Sequence, residues 1–416
     1  MKKVLLLFVF ASLLTACEYS YTEKFTYQIN EPVFMSETAF RSSVKVTNEK
    51  REIDERGKIC FYNGYLFISE PMQGVHILDN RDPSQPKNVG FIELLGNADI
   101  AVKNNKLYAD SYVDLVWFDI SDPAAPRLEG RLENAFPEAL PIVDNGYACD
   151  RNMIYNDNGQ RKSGIVVGWT LKERDGEYYG IPDRNGWDIA TAENGGAMSA
   201  GANGSMSRFS LYGQYLYAVI NYQMFIFDLS EAEPVNKGSI GVGDVETIFS
   251  YKDKMFLGTP TGMSIYSVEN PLEPEYCSQI WHVLGCDPVV VDNDLAYVTV
   301  HSGNFCGQNN DELFIVDVKD VCYPVQLVSY KMTNPKGLGI DKGVLFLCDD
   351  GLKVFRIGDD PQTLIANQIL HLKGMDGYDL IPYDDVLMMI ADNGLYQYDY
   401  SDLEDIRALS VISVGR

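Results

Sequence analysis

Leu115-Val116-Trp117-Phe118-Asp119, followed by Asp122-Pro123 and Pro126, decides the fold because the chain repeats it. A second clear copy is Val75-His76-Ile77-Leu78-Asp79, followed by Asp82-Pro83 and Pro86. Met224-Phe225-Ile226-Phe227-Asp228 runs to Pro234, Met263 to Ser267 runs to Asn270-Pro271 and Pro274, and Leu313-Phe314-Ile315-Val316-Asp317 runs to Asp320 and Pro324. Leu352 to Arg356 and Leu395 to Asp399 are worn copies, with Asp359 and Asp402 in the turn. Between the last residues of the copies, at 79, 119, 228, 267, 317, 356 and 399, the steps are 40, 109, 39, 50, 39 and 43. A period near 40 residues signals a stacked or circular array of one unit. The step of 109 is too long for one unit. It reads as a hidden copy (Ile142 to Cys149, then Ile165 to Leu171) plus an insertion near 172–203. The expected count is eight, or seven if the third copy is absorbed into the insertion.

Each copy carries an earlier strand as well, such as Tyr65-Leu66-Phe67-Ile68, Leu107-Tyr108-Ala109 and Leu216-Tyr217-Ala218-Val219. Turn residues precede these strands, as in Asn63-Gly64, Asn104-Asn105 and Asp292-Asn293, and they tolerate the positive φ of tight hairpins. The runs are short, rich in aromatic and β-branched residues, and bounded by turns, so they read as strands. Four short strands in about 40 residues make a β-propeller blade, an arrangement that leaves only short, protected sheet edges. The expected fold is therefore all-β: a single propeller of four-stranded antiparallel blades. In the turn, Asp side chains bond nearby backbone N–H groups and Pro blocks further pairing.

Leu313–Asp317 and Leu115–Asp119, with the Asp and Pro residues that follow them, resemble the LVIVD repeat of bacterial lipoproteins. Gly285 to Val291 and Gly394 to Tyr400 are similar to that family too. The resemblance covers roughly residues 57–413 and implies a propeller and a surface lipoprotein, not a reaction. The N-terminus agrees with the address. Met1-Lys2-Lys3 precedes an apolar run from Val4 to Leu14, then Thr15-Ala16-Cys17. A basic start and a short apolar core form a secretory signal, too short to span a bilayer. The residues before Cys17 resemble a lipobox, which implies cleavage after residue 16 and acylation of the Cys17 thiol. The expected organisation is a signal peptide over 1–16, a lipidated Cys17 with a stalk over 17–50, and the propeller over 51–416. The expected location is the bacterial envelope, as an outer-membrane lipoprotein facing the periplasm or the exterior.

The formal charge of −25 argues against nucleic acid, whose phosphates need clustered Lys and Arg. It also favours a soluble monomer. Of eight cysteines, seven follow Cys17, and an odd number leaves at least one thiol free. In the blade register Cys286 opens an inner strand and Cys306 sits in the loop 302–311. A bridge between them would staple that loop, and the family resemblance supports the pairing. Cys60, Cys149 and Cys348 lie in strands and read as small buried hydrophobes.

Catalytic motifs are scarce. His76, His282, His301 and His371 are scattered without metal-ligand spacing, and no Gly-x-Ser-x-Gly elbow occurs. Asn194 to Gly204 is Gly-rich but lacks a phosphate loop's Gly-Lys, and Asp150 to Gly159 lacks the terminal Glu of a calcium loop. No metal or cofactor is expected. Aligning the copies yields a better signal. Nine or ten residues before the aromatic of each second strand, or before Met389 in the last copy, stand Lys58, Asp99, Glu138, Arg208, Glu246, Asp287, Lys336 and Asp379. Innermost strands line the channel of a propeller, so these eight are expected to ring one mouth as the candidate ligand site. Asp110, Tyr112, His301, Asp349, Asp350 and Asp392 follow the second strands and are expected at the far end. The functional expectation is a non-enzymatic, lipid-anchored binding or scaffold protein for a protein or glycan partner. The alternative is a carbohydrate-active enzyme using a carboxylate pair at the mouth.

Overall fold

Each repeat folds as an antiparallel meander whose four strands pair in sequence order. A computed structural model describes residues 21–48, 50–55, 57–143, 146–180, 207–259, 261–281, 288–301 and 311–413. The blades begin with inner strands Ile59–Tyr62, Ile100–Lys103, Phe209–Tyr212, Thr247–Tyr251, Val289–Asp292, Leu338–Asp341 and Gly377–Tyr383. These seven strands neighbour one another in that order, and the last neighbours the first, so the ring is closed. Buried Leu, Ile, Val and Phe from adjacent blades merge into shared cores, as where Leu66, Ile68 and Leu78 meet Met388, Ile390 and Leu395. All four strands of blade seven come from the C-terminal end of the chain, so closure involves no exchanged strand.

Among the described residues the blade count is seven, the alternative reading, and not eight. The run Ile165–Leu171 is a strand, as its β-branched content requires, but it builds no blade. It extends to Gly180 and pairs antiparallel with Tyr21–Met35, forming a two-stranded ribbon. The other half of the hidden copy contributes a single parallel bridge, Cys149 to Asn30. Periodicity alone could not distinguish a strand that finds partners within its own repeat from one that pairs with the N-terminal segment. That segment continues from the ribbon into a short helix, Glu37–Arg41, whose Phe40 is buried against blade two. It then adds Lys45–Thr47 as a fifth strand on the outer edge of blade one.

The repeated aspartates close the turns between third and outer strands by a double cap. Asp119 Oδ1 accepts the Ser121 backbone N–H at 2.9 Å, and Asp122 Oδ1 accepts that of Ala124 at 3.2 Å. Asp317 and Asp320 do the same for Lys319 and Cys322, and Asp399 and Asp402 for Ser401 and Glu404. Tight hairpins join first and second strands, with φ of 50° at Asn63 and 76° at Gly64.

Candidate functional site

In an antiparallel hairpin the end of the second strand lies beside the start of the first. Lys58 O accepts the Ser69 N–H at 2.9 Å, and Arg208 O accepts that of Val219 at 2.8 Å. Residues that follow the second strands therefore share a mouth with the inner-strand starts. This corrects the expectation that Asp110, Tyr112, His301, Asp349, Asp350 and Asp392 occupy the far end. The error was one of strand direction. Asp110 Oδ1 accepts the Asp99 N–H at 2.9 Å, which joins the two sets directly.

Two charged clusters result. Across blades one to three, Lys58 Nζ lies 3.0 Å from Asp99 Oδ1 and also donates to Ser207 Oγ. Asp99 is 1% exposed and committed on both oxygens. Its Oδ1 also takes the Ile100 N–H at 2.7 Å, while Oδ2 takes the N–H groups of Arg208 and Phe209. One carboxylate thus ties three inner strands together. Behind it, Asp110 Oδ1 accepts from Asn97 Nδ2 and from the N–H groups of Ala98 and Asp99. Burial pushes the Asp110 carboxyl up to about 6. The two backbone donors and Arg208 oppose that rise, and the charge of Asp99 adds to it. Asp244, also near Arg208, is raised by burial.

Across blades six and seven, Lys336 Nζ lies 2.7 Å from both oxygens of Asp376. Asp349 Oδ1 accepts the N–H groups of Thr333 and Asn334, and its Oδ2 meets Lys353 Nζ at 2.5 Å. Asp379 Oδ1 accepts the Leu380 N–H at 2.5 Å. It stands inside its strand because a bulge at Tyr378 shifts the register. Burial, with Asp379 next, drives the Cys348 thiol well above its ordinary value.

The remaining sequence candidates divide. Glu246 is buried at the start of the blade-four inner strand. Glu138 starts no inner strand. It is exposed on the connection after blade two and ion-paired with Arg151 at 3.4 Å, because among the described residues no blade forms between blade two and the strand at Phe209. Asp287, and the expected Cys286–Cys306 bridge and Cys17 anchor, lie outside the described residues. Sequence reading missed Asp376, Asn97 and Ser207, polar residues one to three positions before the inner strands. An interval of nine or ten residues selects one position per copy and passes over these. His282 lies outside the described residues, and His76 and His371 stand in different blades: His76 Nε2 is 2.8 Å from Glu70 Oε2 in blade one, and His371 sits on the outer strand of blade six. No group of three or more metal-binding side chains occurs among the described residues. Asp150 and Asn156 cap local turns, accepting the N–H groups of Asn152 and Asn158. Toward the opposite end of the channel, a cavity of about 440 Å³ is lined by inner-strand residues of blades four to seven, including Phe249, Val291, Leu338 and Leu380, and by Lys342 of the blade-six hairpin.

A model of the LVIVD repeat family matches residues 96–133, the span from Gly96 through the outer strand of blade two. No curated protein sequence matches the chain. Among solved structures, Sqt1 of Saccharomyces cerevisiae is similar over 88% of this chain and 87% of its own, at 7% identity and a TM-score of 0.51. The computationally designed Ika8 protein aligns over 88% and 89% at 7% identity, with a TM-score of 0.49. Hsv2p of Kluyveromyces lactis aligns over 87% and 99% at 10% identity, with a TM-score of 0.48. At these identities the likeness is one of fold only.

Proposed function

We propose that the mature chain is a lipid-anchored envelope protein, tethered through Cys17, that serves without catalysis as a rigid binding platform for a protein or glycan partner. The observation that carries this reading is where exposed apolar surface collects. Tyr276, Trp281, Tyr323, Val325 and Leu327 stand on the outer edge of neighbouring blades four and five, Trp281 at 71% and Tyr323 at 78% exposure. Exposed aromatic surface of this kind marks interaction sites. The charges at the channel mouth support the same reading, since Lys58, Asp99, Lys336 and Asp376 are engaged with one another or with backbone. The ribbon of Tyr21–Met35 and Ile165–Gly180 suits a stalk, because its first strand starts four residues after Cys17.

The anchor is tested by palmitate labelling in an exporting bacterial host. Wild type should incorporate label and fractionate with membranes, and Cys17→Ser should do neither; an unlabelled wild type refutes the anchor. The platform is tested by capture of envelope proteins and glycans on wild type and on a Trp281→Ser/Tyr323→Ser variant. Equal capture by both refutes the assignment of that edge. One observation favours the enzymatic alternative: Asp110, with its raised carboxyl, adjoins the ion-paired Asp99, and such a pair is what glycoside hydrolysis uses. Hydrolysis of any glycan by wild type that Asp110→Asn abolishes would establish that alternative.

A further inference from the structure

Contacts between consecutive blades recur, and one of them juxtaposes two thiols. On the outer strand of blade seven, Ser410 follows the bulge residue Leu409 and donates its hydroxyl to Pro83 O in the blade-one turn, at 2.6 Å. On the outer strand of blade four, Ser278 follows the bulge residue Cys277 and donates to Val321 O in the blade-five turn, at 2.5 Å. The residues adjoining these contacts correspond: Leu409 with Ser84 at one interface, Cys277 with Cys322 at the other. A bulge turns its extra side chain away from the regular ladder. The Cys277 thiol contacts Glu275 O at 3.7 Å and lies close enough to Cys322 for the two thiols to interact. Both backbones are held. Tyr276 and Ser278 keep ladder partners on either side of Cys277, and Asp320 Oδ1 grips the Cys322 N–H at 3.0 Å.

We propose that Cys277 and Cys322 form a disulfide that clasps the outer edge of blade four to the turn of blade five. The inference rests on the export reading, since disulfides persist in oxidising compartments. The two thiols give up their protons and a Sγ–Sγ bond forms. Two electrons pass to the disulfide of an oxidant such as oxidised glutathione or a thiol–disulfide oxidoreductase, whose S–S bond breaks and whose sulfurs take up the protons. The clasp lies under the exposed aromatic edge, because Tyr276 precedes one cysteine and Tyr323 follows the other. It therefore fixes the relative position of the two blades that present the binding surface.

The test has two arms on the full chain. Purified protein is equilibrated with oxidised glutathione, its free thiols are alkylated, and its peptides are mapped without reduction. A peptide pair joining Cys277 to Cys322 is expected. Cys277→Ser should leave Cys322 unlinked to any cysteine of the chain, either alkylated or carrying glutathione, and Cys322→Ser should do the same for Cys277. Alkylation of both thiols in wild type, or a bond from either to another cysteine, overturns the proposal. The second arm maps protein quenched directly from the envelope of exporting cells. A linked pair there supports both readings. A pair that forms with glutathione but is reduced in cells keeps the geometric inference and refutes the export reading on which its occurrence in the cell depends.

Discussion

Ring closure should depend on one reciprocal amide pair. Asn80 of blade one donates Nδ2 to Gln397 Oε1 of blade seven at 2.9 Å, and Gln397 Nε2 donates to Asn80 Oδ1 at 2.7 Å. Asn80 is 4% exposed and Gln397 is fully buried, so neither finds water when its partner is removed. Gln397→Leu keeps the volume, strands Asn80 Oδ1 and leaves Asn80 Nδ2 only the weak acceptor Met388 Sδ at 3.8 Å. At about 1–3 kcal/mol for each unsatisfied buried group, the loss is about 2–6 kcal/mol. Asn80→Leu should be slightly milder, because Gln397 Nε2 keeps Ser410 Oγ at 3.3 Å. Removing both amides leaves no stranded group, so the double variant should be no less stable than the worse single one. The assay is a double-mutant cycle by urea unfolding, and the expected coupling is about 2–3 kcal/mol. Strictly additive losses would refute the reasoning. They would mean that each amide is satisfied independently and that the apolar contact of blades one and seven closes the ring unaided.

Gly130→Ala would place a methyl 2.2 Å from the buried Trp117 ring, and overpacking of this kind should lower stability by about 1–3 kcal/mol; an unchanged thermal midpoint would show that the outer strand of blade two yields freely. Asp110→Asn tests a pH window. Its carboxyl is raised from 3.8 to about 6, so between those values the folded chain holds a proton that the unfolded chain has released, and wild type loses stability as pH rises through the window. The difference in thermal midpoint between wild type and variant should therefore change across that range, and a constant difference would sink the assignment. Asp79 and Asp119 act in the opposite sense. Hydrogen bonds from Arg81 and from Ser121 are the foremost causes holding each at about 2, so their stabilisation is present above about pH 4 and disappears as pH falls toward 2. A paired Asp79→Asn/Asp119→Asn variant should show a smaller loss of thermal midpoint on acidification from pH 4 to 2 than wild type does.

The sequence by itself determined the blade. Alternating short runs, turn residues with positive φ and the paired aspartates are local signals, and each is satisfied within about 40 residues. Asp119 and Asp122 cap the turn that their spacing implies, and Asn63-Gly64 makes the expected hairpin. Tertiary structure decided the count and the partners. Ile165–Leu171 has the composition of a blade strand, yet it pairs with the N-terminal segment more than a hundred residues away. No local signal states which of two competent strands will provide the hydrogen bonds. The mouth was legible in part for the same reason. Lys58, Asp99 and Arg208 lie where the repeat register puts them, because inner-strand starts are fixed by local pairing. That Asp110 reinforces Asp99, and that Lys336 takes Asp376, depends on how strands turn back and how blades abut in space. Seven separate inner strands meet around one axis only after the ring has closed, and side-chain chemistry across that axis is set by distance in space, which a linear pattern does not encode.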